Sequence, residues 1–151
     1  MIETHRRAAV PDAFLDLVDH PRVAALTTVM PSGYPQTSVV WCDFDGTCVR
    51  VNTMRGFQKE RNMRLNPRVT LLCFDPGSPD RYLEIQGRVV EMTEEGAAAH
   101  LDAIASSYVG RPVRYFGDVI DASFAESERP VLCRILPTHV VARDWTSSDV
   151  T

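Results

Sequence analysis

Val51-Asn-Thr-Met-Arg-Gly-Phe-Gln-Lys-Glu-Arg-Asn-Met-Arg-Leu-Asn-Pro-Arg-Val-Thr-Leu-Leu-Cys-Phe74 changes its hydrophobic period twice. Alternation over 47–54 predicts a strand, residues 57–66 predict one short helix closed by Pro67, and 69–74 predict a second strand. A strand-to-helix junction leaves backbone N–H groups unpaired, and the helix dipole favours an anion there. Lys59, with Thr53, Arg55 and Arg61 close in sequence, is therefore a candidate phosphate cradle. The same cations also fit the solvated face of a short amphipathic helix, and spacing alone does not separate the two readings.

Outward from this junction the chain reads mainly as strands. Residues 11–20 predict a first helix, with Pro11 in the opening turn and Phe14, Leu15, Leu17 and Val18 as its apolar stripe. Residues 23–30 predict a strand, 31–35 a turn and 36–44 a second strand. Asp45-Gly46 predicts a tight hairpin into 47–54, so these three strands are expected as a meander. After the junction, a loop at 75–80 leads to a long strand at 81–92. Thr93 is expected to cap a helix reaching Tyr108, with Glu94 and Glu95 at its positive end. An irregular flank at 110–130 precedes a closing strand at 131–136 and the run 138–145. Six strands with two or three helices predict an α+β, mainly β, antiparallel barrel, in which closure removes sheet edges.

The 151 residues suit a single domain, because a chain of this size buries roughly two-thirds of its unfolded surface. A net charge of −4 argues against a nucleic-acid partner, which needs a basic field to displace counterions. No apolar run approaches the ~20 residues of a membrane-spanning helix. The N-terminal residues lack the apolar core of a secretory signal, so a cytoplasmic protein is expected.

Among chemistry-bearing residues, Cys42, Cys48, Cys73 and Cys133 lie in apolar runs without CxxC pairing and are expected as buried thiols. His5, His20, His100 and His139 are scattered without a paired nucleophile and are expected in core or surface roles. Asp45-Gly46 reads as turn chemistry rather than half of an Asp43/Asp45 metal site. Trp41 is expected to pack in the barrel or at a dimer interface, with stacking on a bound ring as the alternative.

Four motifs together resemble the pyridoxamine-phosphate-oxidase-like flavin and deazaflavin proteins, and within them the branch that uses coenzyme F420. They are Ser32-Gly-Tyr-Pro-Gln-Thr-Ser38, Val40-Trp-Cys-Asp-Phe-Asp-Gly46, Lys59-Glu-Arg-Asn-Met-Arg-Leu-Asn-Pro-Arg-Val69 and Arg81-Tyr-Leu-Glu-Ile-Gln-Gly-Arg-Val89. The resemblance implies a split β-barrel homodimer and a cofactor-binding set. In that set Lys59 holds the cofactor phosphate beside Thr53, Asn62 matches an amide of the F420 branch, and Gln36, Ser38 and Val40 form the ring wall. Arg81 and Tyr82 approach the cofactor, often from the partner subunit.

Gln58 stands where the oxidase pattern has a phosphate-binding arginine, and Arg55 is a substitute from upstream. Arg143 and Trp145 are too isolated to supply the oxidase's C-terminal motif, so oxidation of pyridoxine phosphate is not expected. The implied activity is hydride transfer from reduced F420 to an activated small-molecule acceptor, with Tyr82 and Tyr108 as candidate proton donors. An FMN reductase or oxidase and a non-catalytic F420-binding protein are the alternatives.

Overall fold

A computed structural model describes residues 6–145. The strands are β1 (Val23–Val29), β2 (Pro35–Val40), β3 (Cys42–Phe44), β4 (Val49–Met54), β5 (Arg68–Phe74), β6 (Arg81–Thr93) and β7 (Pro130–Asp144). The helices are α1 (Gln58–Leu65) and α2 (Ala97–Val109). All seven strands join one sheet in the order β2-β1-β5-β6-β7-β4-β3, and every pairing is antiparallel.

The outermost strands β2 and β3 are consecutive in the chain, with Trp41 alone between them. Because successive Cα atoms lie only ~3.8 Å apart, the two edges must meet at this residue. A seven-stranded sheet permits that only by curling on itself. The expected split barrel therefore forms, closed at one corner by the covalent chain where a strand switches from one end of the sheet to the other.

The same corner explains the strand count of seven rather than six. Residues 36–44 alternate without interruption, but the strand breaks at Trp41. Both hairpin pairings of the expected meander form, β1 with β2 and β3 with β4, but its middle strand is divided between the two ends of the sheet and β4 takes β7 as its other neighbour.

The barrel interior follows from period-two alternation. Leu26 on β1, Val49 and Val51 on β4, Leu71 on β5, Leu83 and Ile85 on β6, and Val131 and Ile135 on β7 are fully buried. Each such side chain contributes ~1.5–3 kcal/mol relative to exposure. The closing strand and the run after it are one element: β7 passes through Pro137, where a register shift opposite Gln86 and Gly87 absorbs the residue that lacks an N–H. Gly87 admits no side chain, since a Cβ would lie 2.6 Å from Ile135 Cγ2 and 2.9 Å from Leu136 O.

The first helix shrinks to one 3₁₀ segment, Asp12–Leu17. α1 matches its expected span to within one residue at each end. α2 starts later than expected, because β6 continues to Thr93. The Thr93 hydroxyl accepts from Glu95 N at 3.0 Å within a turn, and Gly96, at φ 73°, occupies the cap. All four cysteines are free and buried. Among the described residues no helix is long and apolar enough to cross a membrane.

Candidate functional site

Where β4 hands the chain to α1, a cleft of about 340 Å³ opens, within the roughly 300–1,000 Å³ typical of small-molecule sites. Its apolar walls are Val39, Val40, Trp41, Met54, Phe57, Leu101, Ile104 and Val119, and Asn52, Thr53, Lys59 and Tyr115 supply its polar groups. Lys59 is half-buried, and no hydrogen bond or ion pair among the described residues engages its amine. Burial holds the Lys59 pKa below the usual lysine value. An unpaired, partly desolvated cation is costly, and an anion relieves that cost.

The start of α1 adds to the same preference. Phe57 at the N-cap gives no side-chain acceptor, so the first helical N–H groups lack that partner. Buried Glu60 instead reaches back to Gly56 N at 3.0 Å and pairs with Arg64, which fixes the approach to the helix.

Trp41 forms one wall and is itself supported. Tyr108 stacks on it at 5.1 Å with an interplanar angle of 16°, and Tyr115 meets it edge-on at 6.3 Å. The Tyr108 hydroxyl accepts from Cys42 N at 3.3 Å and donates to Cys42 O at 3.4 Å, so its polar end is occupied by backbone. Burial pushes its pKa well above the ordinary phenol value. Of the candidate proton donors, neither Tyr82 nor Tyr108 lines the cleft, whereas Tyr115 does. Its phenol pKa is also raised by burial.

Behind the cleft lies a buried polar chain. Arg50 donates two 2.7 Å hydrogen bonds to the carboxylate of Asp43, and His100 Nε2 lies 3.3 Å from each of its oxygens. His100 Nδ1 is 3.2 Å from Asn52 Nδ2, which also donates to Ala97 O at 2.9 Å. Burial raises the Asp43 pKa, but hydrogen bonds from His100 and Arg50 outweigh it and hold the group below its usual 3.8. Asp45 accepts from Thr47 N and Cys48 N and pairs with Arg134, as turn chemistry requires. No metal-binding cluster occurs among the described residues.

The residues singled out in sequence fall into three places. Val40, Thr53 and Lys59 meet in the cleft, where Thr53 is buried and its Oγ1 has no partner. Gln36, Ser38 and Val40 share one face of β2, but Gln36 accepts from Thr28 at 3.0 Å, and neither Gln36 nor Ser38 lines the cleft. Asn62 is fully buried, tying α1 to β1 through Thr28 at 3.0 Å. Arg55 forms an exposed ion pair with Glu94 at 3.1 Å.

Arg81 and Tyr82 lie elsewhere in the chain's own fold. Arg81 grips Asp16 through two 2.8 Å hydrogen bonds and covers the Phe14 ring at 4.8 Å. Tyr82 lines an apolar hollow with Leu72, Phe74 and Pro79. Asn52, Tyr115, Leu101 and Ile104 carry no local signal for the cleft; they reach it only through the packing of α2 and the following flank on β4. His5 lies outside the described residues.

A second cleft of about 370 Å³ gathers Thr27, Thr70 and Gln86 beside Arg68 and Arg88. It lacks the aromatic wall on which a planar ring stacks, so the Lys59 cleft is the better candidate.

A curled antiparallel sheet, with a lysine at the β4–α1 junction that has no partner among the described residues, is the split barrel that the sequence motifs lead one to expect. The chain belongs to the pyridoxamine 5'-phosphate oxidase family, whose model matches residues 10–134. It is similar in structure to an F420 reductase: 29% identity over 87% of this chain and 98% of that one, with a TM-score of 0.72. It is also similar to a conserved hypothetical protein from Mycobacterium tuberculosis, at 25% identity over 91% and 86% of the two chains and a TM-score of 0.70. General Stress Protein 26 from Bacillus anthracis shares the fold at 17% identity, over 84% of this chain and 88% of its own, with a TM-score of 0.57. No curated protein gives a significant sequence match.

Proposed function

We propose that the chain is an oxidoreductase that binds coenzyme F420 in the Lys59 cleft and reduces an activated small-molecule acceptor. The observation that carries this reading is Lys59 itself, an unpartnered, half-buried cation at the mouth of an apolar, aromatic-walled cleft. The residues present fit such a cofactor. Lys59 and the uncapped start of α1 suit a phosphate, Trp41 and Val40 suit a flat ring, and the unpartnered Thr53 hydroxyl and Asn52 carbonyl suit its polar edges. The similarity to an F420 reductase supports F420 over FMN, as does Gln58 in place of an oxidase-type arginine.

When bound, the reduced deazaflavin supplies the hydride. The protein's own part is to position and to keep dry: Leu101, Ile104 and Met54 exclude water from the cleft, and Tyr108 holds Trp41 upright. Tyr115 is the one phenol lining the cleft among the described residues and is the group to examine as proton donor.

The test is a parallel titration of purified protein with F420 and FMN. F420 is expected to bind more tightly, and the reduced form to be oxidised when an activated C=C or quinone-like acceptor is added. FMN that co-purifies stoichiometrically and resists displacement by F420 overturns the cofactor assignment. Tight F420 binding with no turnover on any acceptor makes the protein a binder and not an enzyme.

The chain is further proposed to act as a homodimer, in which Arg81 and Tyr82 approach the cleft of the partner subunit. Support comes from the exposed apolar residues Val39, Val90 and Leu72 and from the apolar hollow beside Tyr82. Sizing chromatography at micromolar concentration is expected to give twice the mass of one chain; a monomer removes the shared-site arrangement.

A further inference from the structure

The polar chain behind the cleft has a direction. The Asp43 carboxylate, held ionised by the Arg50 fork, only accepts hydrogen bonds, so the hydrogen of His100 sits on Nε2. Ala97 O can only accept and so turns Asn52 Nδ2 toward itself, which leaves His100 Nδ1, 3.2 Å from the same nitrogen, as the acceptor of that contact. Both Asn52 donors are thereby spent, and rotating the amide would turn Oδ1 against two acceptors. The orientation of Asn52 is fixed by groups from β3, β4 and α2 together.

What remains of Asn52 is its carbonyl, and Oδ1 is buried without a partner on a residue that lines the cleft. A buried acceptor left unpaired is a cost that the network around it does nothing to remove. A donor on a bound molecule would satisfy it.

We propose that Asn52 reads the bound ring by accepting a hydrogen bond at Oδ1 from an imide N–H, and that His100 and Asp43 are positioning residues which hold it as an acceptor. This rests on the flavin or deazaflavin reading above. Such rings carry an in-plane imide N–H on their pyrimidinedione edge, a donor of the kind a fixed amide carbonyl selects. A ring without it leaves Oδ1 unpaired and is rejected, as sites built to meet a substrate N–H reject analogues that lack one.

The test compares binding of 5-deaza-FMN with that of its N3-methyl derivative, in which the imide hydrogen is replaced by carbon. Wild-type protein is expected to prefer the unmethylated ring by roughly tenfold or more. In Asn52→Leu the preference should fall to within about twofold. His100→Leu should reduce it as well, because the amide is then free to turn, while His100→Gln should restore it by offering Asn52 an acceptor and Asp43 a donor. A purely structural role for His100 would lower stability in both variants without changing the ratio. Equal binding of the two rings by wild-type protein overturns the proposal without any variant having to fold. Binding without discrimination sinks this proposal alone, whereas no binding of either ring or of F420 sinks it together with the cofactor assignment.

Discussion

Replacing Lys59 by alanine is expected to weaken cofactor binding by about 1.5–3 kcal/mol, the range for a hydrogen bond to a charged group. That is roughly 10- to 150-fold in Kd. The fold should be indifferent or slightly improved. Lys59 makes no hydrogen bond or ion pair among the described residues that alanine would forfeit, and alanine is the better helix former. Its amine is held below the usual lysine value by burial, so in the empty protein the charge is a burden. A group of this kind makes stability rise with pH as it deprotonates, because the unfolded chain binds the proton more tightly. The loss of affinity should shrink with salt, since a partly exposed contact is screened over a Debye length of about 8 Å at physiological ionic strength. Isothermal titration at low and high salt, with a melting curve of the cofactor-free variant, checks both halves. Unchanged affinity would move the phosphate elsewhere, and a lowered Tm would make Lys59 a structural residue.

Asp43→Ala is expected to lower stability by about 3–5 kcal/mol, because it strands two partners of a mostly buried ion pair. Asp43 is 7% exposed and receives Arg50 through two bonds and His100 through a third contact. Asp43→Asn should cost less, keeping an acceptor but losing the charge. The pH dependence follows from the sign of the shift. The folded pKa lies below 3.8, so the stabilisation is fully present above that value and is lost as pH falls through the lower, folded one. Urea melts between neutral pH and about pH 3 should show a steeper acid loss for wild type than for Asp43→Asn. Parallel acid profiles would mean that the Asp43 pKa is the same in the folded and the unfolded chain, and a shallower loss for wild type that folding raises it.

What the sequence makes legible follows the range of each interaction. α1 and the strands around it can be read directly, because Pro67, the alternation of Val69 to Cys73 and the 3.6-residue pattern of Gln58 to Leu65 are local signals. Trp41 shows the limit. The alternation of 36–44 continues through it, and nothing within those residues records that the chain leaves one end of the sheet for the other. Thr93 fails for a related reason: its capping chemistry is genuine, since its hydroxyl does accept from Glu95 N, but the strand pairing of β6 with β7 overrides it. Of the site, Lys59 and Thr53 are visible because both lie at one junction. Asn52 and His100 are separated by 48 positions and meet only after α2 packs on β4.

The position of β4 between β3 and β7 has a consequence in time. Its partners are a three-residue strand at one side and, at the other, a strand that begins at Pro130. β1, β2, β5 and β6 can pair as soon as they are made, but β4, which carries Asn52 and Thr53, has no full-length neighbour until β7 is synthesised. Closing that long loop demands its entropy before the ladder returns anything. During translation the cleft is therefore the last part of the barrel to exist, and a cofactor can select only chains that are already complete through β7.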